Sequence, residues 1–288
     1  MTIIITGLLL GGTYALIAVG LTLQYGVARI MNLASGENLV LACFMALWLF
    51  TTFGINPIFG IVLIAPAAFA LNWGIYHYGL RPLVSRAKTR GQLEVDSILA
   101  TFGLLFIFQG VMLLVFGGRD QTYQFLNTAV PILGANYGLN RVAAFLAAAA
   151  IAAALWLFLY RTRYGTAIRA VAADPVSASL VAINVPRASA FAFALGGALT
   201  AACGALLSTF YTFNASMGVV FTMKALIVVV MGGVGDVRGA IVAALLLGLA
   251  ETAVATLVDP GLTIATTYAL FILVLLFRPQ GIFGRRPS

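Results

Sequence analysis

Val142-Ala-Ala-Phe-Leu-Ala-Ala-Ala-Ala-Ile-Ala-Ala-Ala-Leu-Trp-Leu-Phe-Leu-Tyr160, followed without a break by Arg161-Thr-Arg-Tyr-Gly-Thr-Ala-Ile-Arg169, decides the fold of this chain. A hydrocarbon layer of roughly 30 Å takes about 20 apolar residues in a helix, and the first stretch supplies that length with no charge in it. A membrane β-strand would alternate polar and apolar residues, and this stretch does not. The second stretch turns abruptly cationic, which marks the point where the chain re-enters water.

Working outward, the same pattern recurs along all 288 residues. The composition is 62% hydrophobic and 8% charged, and the mean hydropathy is +1.07. A water-soluble domain carries about 25% charged residues, so the chain is an integral membrane protein of the all-α class. Apolar runs fall at roughly 3–28, 33–52, 57–80, 96–117, 140–160, 188–212, 217–234, 239–258 and 261–277, which gives nine crossings, with eight as the alternative. The expected architecture is one polytopic helical bundle over residues 1–288.

The net charge of +8 reads as membrane topology rather than as nucleic-acid binding. Arg81, Arg86, Lys88 and Arg90 form one cationic seam, Arg161 to Arg187 a second, and Arg278, Arg285 and Arg286 the tail. The positive-inside rule places all three in the cytoplasm, together with Arg29 and Arg238, and sends the amino terminus and the segment 117–140 outward. Aromatic residues agree, because Tyr76 and Tyr78 precede Arg81 while Trp156 and Tyr160 precede Arg161, as interfacial belts do. The first residues lack a basic region and a small-residue cleavage site, so the first run reads as a retained span. Cys43 and Cys203 lie in apolar runs and read as packing residues.

The polar island from Arg161 to Arg187 has its own helix signals. Asp174 can cap a helix start, Pro175 suits the first helical position, and Asn184 with Pro186 ends the run. Val176, Leu180 and Ile183 fall on one side of this short cytoplasmic helix, flanked by Arg169 and Arg187. A half-apolar helix kept in water is a handle for a soluble partner.

Glycine spacing points to dense packing. Gly7 and Gly11, and Gly235 and Gly239, are spaced for close helix approach, and Gly196 and Gly197 sit within an alanine-rich run. Gly232, Gly233, Gly235 and Gly239 crowd around Asp236 and Arg238, where a regular helix cannot continue cheaply, so a turn or hinge is expected there.

Catalytic chemistry has little to work with. His77 is the only histidine and stands among interfacial aromatics, so no metal cluster is expected, and there is no Gly-x-x-x-x-Gly-Lys-Ser/Thr phosphate loop. Any nucleotide that drives this chain is bound elsewhere. Lys224 and Glu251 lie within apolar runs, each about 10 Å from the outer end at ~1.5 Å per residue, and are expected to form a structural ion pair. Gln24, Tyr25, Asn32, Thr101 and Gln109 are polar groups in or beside apolar runs that either line a solute path or bond a neighbouring helix. Glu37 stands just inside a helix start, where the positive dipole end suits a carboxylate.

These residues carry a resemblance. Gly11-Gly-Thr-Tyr-Ala-Leu-Ile-Ala-Val-Gly-Leu-Thr-Leu-Gln-Tyr-Gly26 and Met31-Asn-Leu-Ala-Ser-Gly-Glu37 resemble the opening of the inner-membrane permeases of branched-chain amino-acid ABC importers, the LivH type. Gly165-Thr-Ala-Ile-Arg-Ala-Val-Ala-Ala-Asp-Pro175 and Ala182-Ile-Asn-Val-Pro-Arg187 are similar to that family's cytoplasmic loop. Lys224-Ala-Leu226, Gly232-Gly-Val-Gly-Asp-Val-Arg-Gly-Ala240 and Leu247-Gly-Leu-Ala-Glu251 resemble its carboxyl-terminal motifs. The resemblance implies a bacterial inner-membrane permease working with a second related permease, two cytoplasmic ATPases that bind ATP and Mg, and an extracytoplasmic solute-binding protein. It implies no cofactor in this chain, and a solute that is a branched-chain amino acid, urea, an amide or an aromatic acid. Where the family often reads Asn-Phe-Ala-His-Gly-Glu, this chain has Asn32-Leu-Ala-Ser35-Gly-Glu37, so a histidine contribution is absent. An ion-coupled secondary transporter is the alternative reading, drawing on Glu251 and the glycine hinge.

Overall fold

The computed structural model describes residues 2–284 apart from Lys88, Asn127, Leu133 and Gly134. Lys88, Arg285 and Arg286, counted above among the inner cations, lie outside the described residues, as does the side chain of Arg90. The helices run α1 (Thr2–Ala28), α2 (Ser35–Phe53), α3 (Pro57–Gly74), α4 (Arg81–Arg86), α5 (Arg90–Phe116), α6 (Leu139–Arg161), α7 (Arg163–Ala173), α8 (Pro175–Leu180), α9 (Val185–Leu207), α10 (Gly218–Gly232), α11 (Val237–Leu257) and α12 (Thr263–Phe277). A six-residue π-helical stretch, Ile75–Leu80, joins α3 to α4. Pro82 explains it: its ring clashes with the carbonyl four residues earlier, so the backbone widens to a turn in which the Arg81 amide bonds Tyr76.

Among the described residues, eight stretches are long and apolar enough to cross a membrane, with Pro57–Arg86 counted as one. α10 is apolar but only 15 residues long, about 22 Å at ~1.5 Å per residue, and so falls short of a bilayer core. The full-length spans therefore match the alternative of eight, and the ninth apolar run is the short α10. The segment 117–140, expected to face outward, contains a small antiparallel hairpin, β1 (Ala129–Ile132) with β2 (Ala135–Gly138), which periodicity did not mark.

α1 and α9 form the centre, and small residues let them touch. A Cβ on Gly20 would lie 2.6 Å from the Gly196 carbonyl oxygen. Of α9's apolar window 89% is buried, against 6% for the window containing α12, so α12 lies at the rim of the bundle. Without a hydrophobic drive between helices in lipid, close backbone approach and interhelical hydrogen bonds hold the centre together. Cys43 and Cys203 belong to that packing, each unpaired and buried, with their Sγ atoms against the carbonyls of Gly204 and Thr13.

Candidate functional site

The segment from Arg161 to Arg187 folds as its local chemistry dictates. Thr162 caps α7 by accepting from the Gly165 amide at 3.0 Å, and Asp174 caps α8 by accepting from the Val176 amide at 2.9 Å. Pro175 occupies the first turn of α8, and Asn184 caps α9 through the Arg187 amide. α8 closes at Leu180, earlier than the expected Ile183, because Ala182 turns to positive φ and the chain bends back. Val176 and Leu180 are left 68% and 82% exposed, whereas Ala178 is buried and Ile183 packs inward against the core. Arg169 donates from Nε to the Leu159 carbonyl at 3.0 Å and lies 4.4 Å over the Tyr160 ring, fastening α7 to the end of α6. Arg187 is exposed at the foot of α9.

The second polar region is a break between α1 and α2. Arg29 takes a left-handed φ of 57°, and residues 30–34 run back into the bundle with Ile30, Asn32 and Ala34 buried. Such backbone is tolerated in a membrane only if its polar groups are met. Met31 donates to Ser97 Oγ and accepts from Thr101 Oγ1, Leu33 donates to Thr101 Oγ1 and accepts from Thr222 Oγ1, and the Gly36 amide donates to Thr222 Oγ1 at 2.9 Å. Asn32 Nδ2 and Ser35 Oγ donate to Gln24 Oε1, and Gln24 Nε2 donates to the Phe193 carbonyl. Three of the five polar candidates, Gln24, Asn32 and Thr101, thus meet at this break. Tyr25 stands beside it, donating to Glu94 Oε1 at 2.8 Å, and Gln109 is half-buried two turns farther along α5.

α2 and α10 both begin inside the bundle. Asn38 Nδ2 donates to the carbonyl of Gly197, near the middle of α9, and Thr222 on α10 reaches Gly36 on α2. The Glu37 side chain packs against Gly218, where the space normally taken by a Cβ is filled by its carboxylate. Glu37 is fully buried, and neither carboxylate oxygen has a hydrogen-bond partner among the described residues. The starts of two helices, with their positive dipole ends, face this group.

Charge is handled differently at Glu251. Lys224 Nζ lies 2.8 Å from Glu251 Oε1 and 3.0 Å from Oε2, with Tyr14 donating to Oε2 at 3.1 Å and Thr267 to Oε1 at 2.6 Å. A cavity of about 270 Å³ opens beside the pair, with Arg141, Phe210 and Tyr211 on its wall.

The glycine cluster forms a turn between α10 and α11. Gly233 and Gly235 take φ of 105° and 85°, a region that side-chain-bearing residues avoid. Gly232 and Gly239 are pressed backbone to backbone, and Asp236 caps α11 through the amides of Arg238 and Gly239. The carboxyl-terminal tail then folds over the turn, the Ile282 amide donating to Met231 and the Phe283 amide to Gly232. Neither that strap nor the bonds made by Thr222, Ser97, Tyr14 and Thr267 left a mark in the periodicity, because a lone hydroxyl in an apolar run does not reveal which helix it faces.

Comparison with known proteins fits this architecture. Residues 3–278 match the family model described as branched-chain amino acid transport system, permease component. The chain is 31% identical to the high-affinity branched-chain amino acid transport system permease protein LivH of Salmonella typhimurium, over 97% of this chain and 94% of that one. It is 30% identical to BraD of Pseudomonas aeruginosa, described in the same words, over 98% and 95%. Among solved structures, PsaBC from Streptococcus pneumoniae in complex with Fab shares the fold at TM-score 0.51 and 12% identity, covering 98% of this chain and 94% of that one. Matched over nearly its whole length by that family model and by relatives of this kind, the chain belongs to the permease-component family of branched-chain amino acid transport systems.

Proposed function

We propose that residues 1–288 form one permease domain of an ATP-driven importer in the bacterial inner membrane, carrying branched-chain amino acids or a related small solute such as urea, an amide or an aromatic acid. Family membership supports the transport role. The observation that carries the coupling mechanism is α8: a capped helix at the arginine-rich end that presents Val176 and Leu180 to water. Exposed apolar residues on a wet helix are costly unless a partner covers them.

In this reading two cytoplasmic ATPases, which bind ATP and Mg, each take one short helix of a permease pair into a cleft. The second permease is a related chain, and an extracytoplasmic binding protein delivers solute. Closure of the ATPases pushes α8. Arg169, which ties α7 to α6, passes that push to the spans, and the bundle exchanges outward and inward openings. The chain itself performs no chemistry. Gln24, Tyr25, Asn32, Thr101 and Gln109 contribute polar groups to the path, the pair of Lys224 and Glu251 is structural, and the glycine turn at 232–239 absorbs the motion. Leu180→Asp is expected to cut co-purification of the ATPases at least tenfold while membrane insertion is unchanged, and unaltered co-purification would refute the assignment of α8.

A second reading, ion-coupled transport, draws on Glu37. A buried carboxylate with no partner is the kind of group that carries a proton or cation in secondary transporters. Solute uptake by the chain reconstituted alone separates the two readings.

A further inference from the structure

A groove of about 980 Å³ runs along one flank of α1 between α6, α7 and the start of α11. Its walls include Leu16, Val19 and Leu23 on α1 and Ala149 and Ala152 on α6, and the Phe145 ring closes it against Gly12. From Gly26 to Gly12 it extends about 21 Å at ~1.5 Å per residue, longer than the ~15 Å half-thickness of the hydrocarbon layer. Its mouth is of opposite character. Arg29, Arg169 and Arg238 surround it, with one acid, Asp236, already accepting from two backbone amides. Arg29 and Arg169 each spend one N–H on a backbone carbonyl, and a guanidinium has five donors, so N–H groups remain for an anion.

We infer that this groove is a binding site for an anionic phospholipid of the cytoplasmic leaflet, one acyl chain lying between α1 and α6 and the phosphate seated on Arg29, Arg169 and Arg238. The lining selects the ligand. Water gains few hydrogen bonds along the apolar walls, and a free anion would leave them uncovered. A lipid meets both halves at once, and basic pockets between helices at the cytoplasmic side suit such headgroups. The mouth also lies between α7 and the glycine turn, so the bound headgroup would brace the coupling segment against the hinge. The inference does not depend on which solute the protein carries.

The test is native mass spectrometry of the purified chain titrated with phosphatidylglycerol and, separately, phosphatidylethanolamine. One phosphatidylglycerol is expected to be retained in preference to phosphatidylethanolamine, and equal retention of the two would overturn the site without any variant. Arg238→Gln is expected to lower phosphatidylglycerol retention about fivefold. Ala149→Trp, an exposed position whose new ring would fill the groove, is expected to lower it by at least as much. If Arg238→Gln weakens retention and Ala149→Trp does not, the site holds an anion alone and the lipid assignment fails. If Ala149→Cys cross-links to a second permease copy and phosphatidylglycerol does not suppress the cross-link, the groove is a protein interface instead.

Discussion

Among the described residues two carboxylates are buried in this bundle, and they are treated oppositely. Glu251 is met by Lys224, Tyr14 and Thr267, each within 3.1 Å. Glu37 is at least as buried and neither of its oxygens has a partner among the described residues, although the backbone around it is densely hydrogen-bonded. The difference separates a carboxylate held in place from a carboxyl group left available. At Glu251 the protein has closed an electrostatic circuit, so that region is built to stay together. At Glu37 the hydroxyls of Thr101 and Thr222 serve the broken backbone, and the carboxylate sits between two helix starts with only their dipoles to answer it.

The sharpest way to break the comparison is to remove one side of the closed circuit. Lys224→Met leaves a buried carboxylate short of its cation and should cost about 3–5 kcal/mol of stability, read as a drop in thermal unfolding temperature in detergent. Adding Glu251→Gln should recover part of that loss, and strictly additive losses would show that the two groups do not act as a pair.

This pair was legible in the sequence because regular helices convert residue number into depth: Lys224 and Glu251 stand at similar distances along neighbouring apolar runs. The glycine turn was legible too, since Gly233 and Gly235 signal positive φ locally. The spans followed from length and hydropathy, and α8 from Asp174, Pro175 and Asn184, whose capping is decided within three residues, whereas α7 with its Thr162 cap was not read from the sequence. The break at 30–34 was not legible. Only Asn32 within it was singled out, between runs 3–28 and 33–52, whereas the groups that let it enter the bundle, Ser97, Thr101 and Thr222, lie far away in sequence. For the same reason nothing local announced that α2 and α10 start inside the bundle, or that residues 281–284 strap the glycine turn.

The next test sharpens the other half of the comparison. Thr222→Val keeps the volume but removes the hydroxyl that accepts from Gly36 and donates to Leu33, and should cost about 2 kcal/mol, whereas Thr222→Ser should restore most of it. Equal losses for both variants, measured by thermal unfolding, would mean that packing and not the hydroxyl supports the break. Tyr14→Phe removes one donor from Glu251 while Lys224 and Thr267 remain, so a loss of about 1 kcal/mol is expected.

The smallest effect is expected at Glu37. Because its oxygens have no hydrogen-bond partner, Glu37→Gln forfeits only the dipole interaction and should change stability by less than about 1 kcal/mol. A loss as large as that of Lys224→Met would show that Glu37 is held by a partner after all and would erase the contrast. Solute uptake by the same variant, alongside its near-native stability, reports whether the available carboxylate is used.

The proposed function makes this chain a gate without a motor, moved through α8 by proteins that hydrolyse ATP. Uptake of radiolabelled leucine into proteoliposomes tests it most directly, with the chain reconstituted either alone or with its second permease, ATPases and binding protein, and ATP enclosed. Accumulation above the external concentration is predicted only in the complete assembly, and only with ATP present. Accumulation by the chain alone, driven by a proton or sodium gradient, would contradict the account and return Glu37 to the centre of the mechanism.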